Sequence, residues 1–370
     1  MEGGFPRLRF LQEYRDGELV RRIAVKSNLL LEKLGREVKI MEVCGTHTMA
    51  IARHGLRSLF KSNLDLLSGP GCPVCVTPNS GFSLVFQAAE SGLTVTTFGD
   101  LMRVPLNGKT LLDLKSEGRD VRVVYSPYDS LQMALEEPDK EFVMAGIGFE
   151  TTSPLFASVI LECKRRGLKN LKLISLFKTM PPALDCLLGS KDLEIDGVIL
   201  PGHVSTIIGV KPYVEIFKKH GVPAVVSGFE PVDIVESIYM ILRQIVEGRS
   251  EVENEYVRTV RYEGNVKAAN LIRWVFKPVD AEWRGLGVIA GSGLALRDDF
   301  KDLDAVEEHC LKQVEVEEPS GCLCGEVIRG SRKPTDCKLY RRVCNPNNPV
   351  GPCMVSSEGT CAAYYYAGVE

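Results

Sequence analysis

The sequence predicts an α/β protein with two domains of parallel sheets flanked by helices. A third, mixed and loop-rich body is assembled from both ends of the chain. Three observations carry this. Short β-branched apolar runs alternate with helical stretches from about residue 35 to 245, as strands covered on both faces do. At 370 residues the chain exceeds what one core usually fills. The last fifty residues, from Gly321 on, hold six of the twelve cysteines among Pro, Gly, Asn and Arg, with no apolar period long enough for a core helix. Such a segment is held together by a metal centre, by disulfides or by both. The first α/β domain is expected at 35–130, the second at 131–245, and the third body at 1–34 together with 246–370.

Taken in order, apolar residues recur at helical spacing over 7–34, and Gly35 ends that helix. Strands are expected at 38–43, 64–67, 93–98 and 121–125, with helices over 46–60, 81–90 and 110–115 between them. The rhythm continues with strands at 142–147, 171–177, 197–200 and 224–226. The intervening helices lie over 154–166, 183–188 and 213–220, and an amphipathic helix over 232–247 closes the second unit. Gly-Phe-Glu occurs twice, at 148–150 and 228–230, each time after a strand.

Composition narrows the function. A formal charge of −3 gives no basic footprint, so no nucleic-acid partner is expected. No apolar run is long enough to span a bilayer, and the segment MEGGFPRLRF has no leader pattern, which predicts a cytoplasmic protein. Cytoplasmic thiols stay reduced, so twelve cysteines point to metal or redox chemistry, outside a hyperthermophile's disulfide-rich cytosol.

In open parallel sheets, ligands bind at the carboxyl ends of strands. Here those ends carry Cys44-Gly-Thr-His47-Thr48, Gly69-Pro-Gly-Cys72-Pro-Val-Cys75, Asp100 with Arg103 nearby, Gly148-Phe-Glu150-Thr-Thr, and Pro201-Gly-His203-Val-Ser205. Cys44 lies where a strand meets a helix, and the helix N-terminus is expected to favour its thiolate. With His47 three residues on, it can bind a transition metal or form a nucleophile pair. The alternative is a buried cysteine and a capping histidine. Cys72 and Cys75 have the spacing of an exchangeable dithiol; half a zinc site or two inert thiols are the alternatives. Glu150 and its threonines also make a good helix start, Asp100 and Arg103 can pair with each other, and His203 has no evident capping role. Cys163, Cys186 and Cys310 fall in helical patterns and read as ordinary buried thiols.

The tail offers one Cys-x-Cys, Cys322 and Cys324, followed by the widely spaced Cys337, Cys344, Cys353 and Cys361. Zinc sites usually bring two close pairs, whereas four thiolates from separate turns suit an iron–sulfur cube and leave two over. Zinc or a disulfide knot remain the alternatives.

Together, CGTHT (44–48), GPGCPVC (69–75), GFETT (148–152), PGHVS (201–205) and the tail cysteines make the chain resemble the HypD family of [NiFe]-hydrogenase maturation factors over essentially its whole length. The family's Cys-x14-Cys-x6-Cys-x16-Cys pattern falls on Cys322, Cys337, Cys344 and Cys361, which the resemblance implies hold a [4Fe-4S] cluster. Cys324 and Cys353 are then a spare redox pair, similar to the cluster-adjacent dithiol of ferredoxin:thioredoxin reductase. The resemblance further implies a scaffold on which an Fe(CN)2(CO) unit is assembled. Cys44 would be a thiolate on that iron, shared with a HypC-type small chaperone. His47, Asp100, Glu150 and His203 would line the cleft and manage protons or orient ligands, while Cys72 and Cys75 relay electrons. A HypE-type partner would deliver cyanide as a thiocyanate, and the hydrogenase large subunit precursor would be the indirect recipient. The alternative function is a [4Fe-4S]-dependent thiol–disulfide reductase acting on a protein disulfide.

Overall fold

A computed structural model describes residues 13–190 and 193–368. The segment MEGGFPRLRF and the part of the first helix expected over 7–12 lie outside the described residues. The strands are β1 (Val38–Glu42), β2 (Leu64–Ser68), β3 (Thr94–Thr97), β4 (Val121–Val123), β5 (Phe142–Gly146), β6 (Leu171–Ser175), β7 (Gly197–Pro201), β8 (Ala224–Ser227), β9 (Val252–Asn254), β10 (Phe276–Trp283) and β11 (Gly287–Leu296). One parallel sheet has the order β2-β1-β7-β8-β9 and the other β4-β3-β5-β6, while β10 and β11 form an antiparallel hairpin. The architecture is the expected one of parallel sheets flanked by helices. Every residue of β3, β5, β7 and β8 is buried, as in strands covered by helices on both faces.

The strands divide differently from a cut at residue 130. β1 pairs not only with β2 but with β7, so Ile40 sits beside Gly197. The second sheet is built from the four strands between them in the chain. The N-terminal helix Gly17–Leu34 also leaves the expected third body. Its Val20, Ala24 and Leu31 share a core with β1, β7, β8 and the helix Pro231–Glu247. Asp16 caps its start by accepting from Glu18 and Leu19 N–H, and Gly35, with φ 62°, returns its N–H to Leu31 at the end. Periodicity reads each element locally, and the choice of partner strand is made by packing across distances the local pattern does not encode.

Among the elements not anticipated are the helices Pro127–Glu136, Gly202–Ile208, Val266–Val275, Cys324–Ile328 and Thr360–Tyr366, the strand β9 and the β10–β11 hairpin. Two cysteines also differ from expectation. Cys163 is buried, but Cys186 and Cys310 are exposed. Cys186 is on the outer side of the helix Met180–Leu188, and Cys310 has a left-handed φ of 51° just beyond the helix Ala305–Glu308.

A thiol cleft between two sheets

Each sheet reverses its strand order once, between β1 and β7 in the first and between β3 and β5 in the second. Loops diverge at such a switch point and leave a crevice beyond the strand ends. Cys44 and His203 follow β1 and β7, and Asp100 and Glu150 follow β3 and β5. The two crevices contribute to a cleft of about 400 Å³ lined by Cys44, Thr46, Gly71, Thr151, Thr152, His203 and Glu358, among others. His203 is exposed at this cleft, whereas His47, Asp100 and Glu150 do not line it.

Cys44 is the N-cap residue of the helix Gly45–Arg53, but its side chain makes no capping bond. Glu42 fixes the turn from the other side. One of its carboxylate oxygens accepts from the Cys44 N–H at 3.0 Å and the other from the Thr48 hydroxyl. The thiol itself lines the cleft. The surrounding backbone is so tight that only glycine fits. A Cβ on Gly71 would lie 2.4 Å from Cys44 Cα, and one on Gly45 2.2 Å from the Glu358 carbonyl oxygen. Gly45 N–H also donates to Gly71 O at 3.2 Å.

The expected thiolate is not what this environment favours. Cys44 is 7% exposed. Burial, with Glu358 and Glu42 adding their charge, pushes its thiol up to about 12, and the N–H groups of Thr46 and His47 only partly offset this. The desolvation of a sulfur anion outweighs the helix N-terminus here.

His47 is wholly buried behind the cleft. Its Nε2 lies 2.9 Å from Gly228 O, an atom that only accepts, so Nε2 carries the proton and the partnerless Nδ1 is a bare lone pair. Burial pulls this histidine down to about 4, so it is neutral. Phe229 lies between the rings of His47 and His203, with centroids 4.7 and 3.9 Å away. The second Gly-Phe-Glu thus supplies a spacer between the two histidines. Asp100 is exposed in a short 3-10 turn, and the Arg103 guanidinium donates not to it but to the Pro346 and Val355 carbonyls.

Glu150 is also buried; Oε1 accepts from Met180 N–H at 2.8 Å and Oε2 has no partner. Burial raises it from 4.5 to about 7. A carboxyl raised in this way favours the folded state most while protonated, and the wild type loses that stability as pH rises from about 4.5 to about 7. Glu150→Gln keeps the acceptor and removes the charge. At pH 8 it should be more stable than wild type by up to roughly 3 kcal/mol, a gap that narrows towards pH 5. Denaturant melts at the two pH values check this; a gap independent of pH would mean that Glu150 ionises normally in the folded chain.

Cys72 and Cys75 are joined by a disulfide beside the cleft, at the start of the short helix Pro73–Val76. Cys75 Sγ lies 3.8 Å from the carbonyl oxygen of Pro352, the neighbour of Cys353. All six tail cysteines line one small, mostly apolar cavity. Cys324 is in hydrogen-bond contact with Cys322 and Cys353, and Cys353 with Cys361. Among the described residues no group of three or more Cys, His, Asp or Glu side chains surrounds a single-ion position. A cubane asks for something else, one thiolate per iron around a cluster, and six soft donors on separate turns of one apolar cavity fit that demand. Glu42, Phe229, Glu358 and Arg284 are the site residues that sequence reasoning missed. Two left a signal: Glu42, as an acid at the end of an apolar strand next to Cys44, and Phe229, as part of the second Gly-Phe-Glu.

A buried, unspent thiol at the switch point of one sheet, facing the other sheet and backed by a disulfide and a cysteine-lined tail, defines a thiol-centred α/β protein. Residues 18–368 match the family described as the hydrogenase formation hypA family, HypD. The chain is 42% identical over 370 residues to the hydrogenase maturation factor HypD of Cupriavidus necator, covering 98% of this chain and 97% of that one. It is 40% identical over 369 residues to that of Azotobacter vinelandii (98% and 97%), and 41% identical over 370 residues to that of Rhizobium leguminosarum (98% and 96%). The chain belongs to the HypD family of hydrogenase maturation factors. Among the described residues, no helix is long and apolar enough to cross a membrane.

Proposed function

We propose that the chain is the scaffold on which the Fe(CN)2(CO) unit of [NiFe]-hydrogenase is assembled, with Cys44 as the protein's ligand to that iron. The observation that carries this reading is the position of Cys44: a thiol that makes no capping bond, at a cleft of about 400 Å³ shared by both sheets. Thiolates are soft ligands suited to low-valent iron. Because the resting thiol is protonated, iron binding releases a proton. Glu42 and Glu358, whose charges act on the thiol, and His203, which lines the same cleft, are the bases available to take it.

Cys322, Cys337, Cys344 and Cys361 would hold a [4Fe-4S] cluster, which when bound supplies single electrons. Cys324 and Cys353, in contact with each other beside those ligands, form a candidate redox pair. The approach of Cys75 to Pro352 supports transfer from that pair to the Cys72–Cys75 bond, whose reduction takes two electrons and two protons and leaves two thiols. A HypC-type chaperone would contribute a second thiolate at the open side of the cleft, and a HypE-type partner would bring cyanide. A [4Fe-4S]-dependent disulfide reductase would use the same thiols, but it has no need of a separate cleft at Cys44. Infrared spectra of the chain isolated anaerobically with its HypC-type partner test the assignment. Cyanide and carbonyl stretching bands are expected; their absence alongside full disulfide-reductase turnover would sink the scaffold reading.

A further inference from the structure

The tip of the β10–β11 hairpin meets three parts of the site with three successive residues. Trp283 stacks on Phe149 of the GFETT loop, with ring centroids 5.9 Å apart. Gly285, at φ 78°, packs so closely on the tail that a Cβ would lie 2.3 Å from Gly325 O, next to Cys324. Between them Arg284 is 3% exposed, and its guanidinium donates to Cys75 O at 2.9 Å, Thr77 O at 2.8 Å and Asn79 Oδ1 at 3.0 Å. Its backbone N–H donates to Val76 O at 2.7 Å. All four acceptors belong to the segment that carries and follows the Cys72–Cys75 disulfide. The remaining guanidinium edge meets Glu318, whose side chain is 46% exposed.

Neutral donors could satisfy two carbonyls and an amide oxygen. Burying a cation there is costly, and a half-exposed carboxylate offsets that cost only in part. We propose that Arg284 is a positioning residue that sets the redox equilibrium of the Cys72–Cys75 bond. It fixes the loop against the tail and lends a buried positive charge that stabilises sulfur anion formed on reduction. The proposal rests on reading Cys72 and Cys75 as an exchangeable dithiol. In the assay reaction dithiothreitol loses two electrons and two protons and closes its ring. The Cys72–Cys75 bond breaks and both sulfurs become thiols, and any fraction that ionises beside the cation gives its proton to solvent.

The full chain, prepared anaerobically, is equilibrated in mixtures of reduced and oxidised dithiothreitol. It is then alkylated, and the peptide containing Cys72 and Cys75 is weighed. Arg284→Met should lower the equilibrium constant for reduction about tenfold, the scale of losing hydrogen bonds to a charged group. Arg284→Lys should recover part of that loss. Glu318→Gln, at an exposed position, should raise the constant, because it leaves the cation uncompensated. A loop that is merely held in place would not move in opposite directions with these two changes. If Arg284→Met does not fold, Glu318→Gln decides alone. Constants within twofold of wild type for the folded variants overturn the proposal. No partner protein or hydrogenase is needed, so absence of infrared bands would end the scaffold reading without touching this one.

Discussion

Cys44→Ala should abolish the iron–cyanide–carbonyl unit proposed for this chain while leaving its fold and the proposed tail iron in place. The local backbone does not depend on the thiol: Glu42 holds the Cys44 N–H and Gly71 the Gly45 N–H. What is lost is one buried sulfur, a packing cost of about 1 kcal/mol, set against the complete loss of a ligand atom. Infrared bands and iron content of the chain isolated with its HypC-type partner should therefore separate from its denaturation midpoint. Bands of wild-type intensity in the variant would remove Cys44 from the iron.

The second large effect is expected at the tail. Cys337→Ala should lose most of the acid-labile sulfide and the roughly four irons of a cubane, because each iron needs its own thiolate. Cys324, Val327, Ile328, Cys353 and Val355 tie the tail to the main core, but the remainder has only a small cluster. Its own core consists of Tyr340, Cys344, Met354, Ala362 and Tyr364, with a few half-buried neighbours, and much of 329–359 is turn and short 3-10 helix. Limited proteolysis should accordingly begin in that stretch in the variant and not in wild type. Cys186→Ala, an exposed thiol far from the tail in the sequence, is the control and should change neither quantity. Iron and sulfide at wild-type levels in Cys337→Ala would show that the ligand set is a different four.

The sequence made the loops legible and left their geometry hidden, for an identifiable reason. Cys44, Cys72, Glu150 and His203 could be singled out because each follows an apolar strand, and strand ends can be read from a few adjacent residues. That β1 lies between β2 and β7 could not be, since Ile40 and Gly197 are paired across more than 150 positions that no local pattern links. Arg284 escaped notice for the same reason: its partners lie more than 200 positions away. Phe229 looked like half of a weak repeat until the two histidine rings were found on its faces. The hairpin was legible and missed, because the alternation of buried and open residues in β10 is already present as apolar and polar letters. The thiolate expected at Cys44 failed on magnitudes. The helix end acts as predicted, but it is smaller than the cost of burial.

The contact of Gly45 and Thr46 with Glu358 has a consequence for how the chain is made. Synthesis runs from the N-terminus, and domains generally fold as units as they emerge from the ribosome. Here the loop holding Cys44 is completed by β7 halfway along the chain and by the carboxylate of Glu358, 312 positions beyond the Thr46 that it meets. A nascent chain can expose Cys44 early but cannot close the cleft around it until Glu358 has been made. A product truncated before Glu358 therefore carries the thiol without the completed cleft.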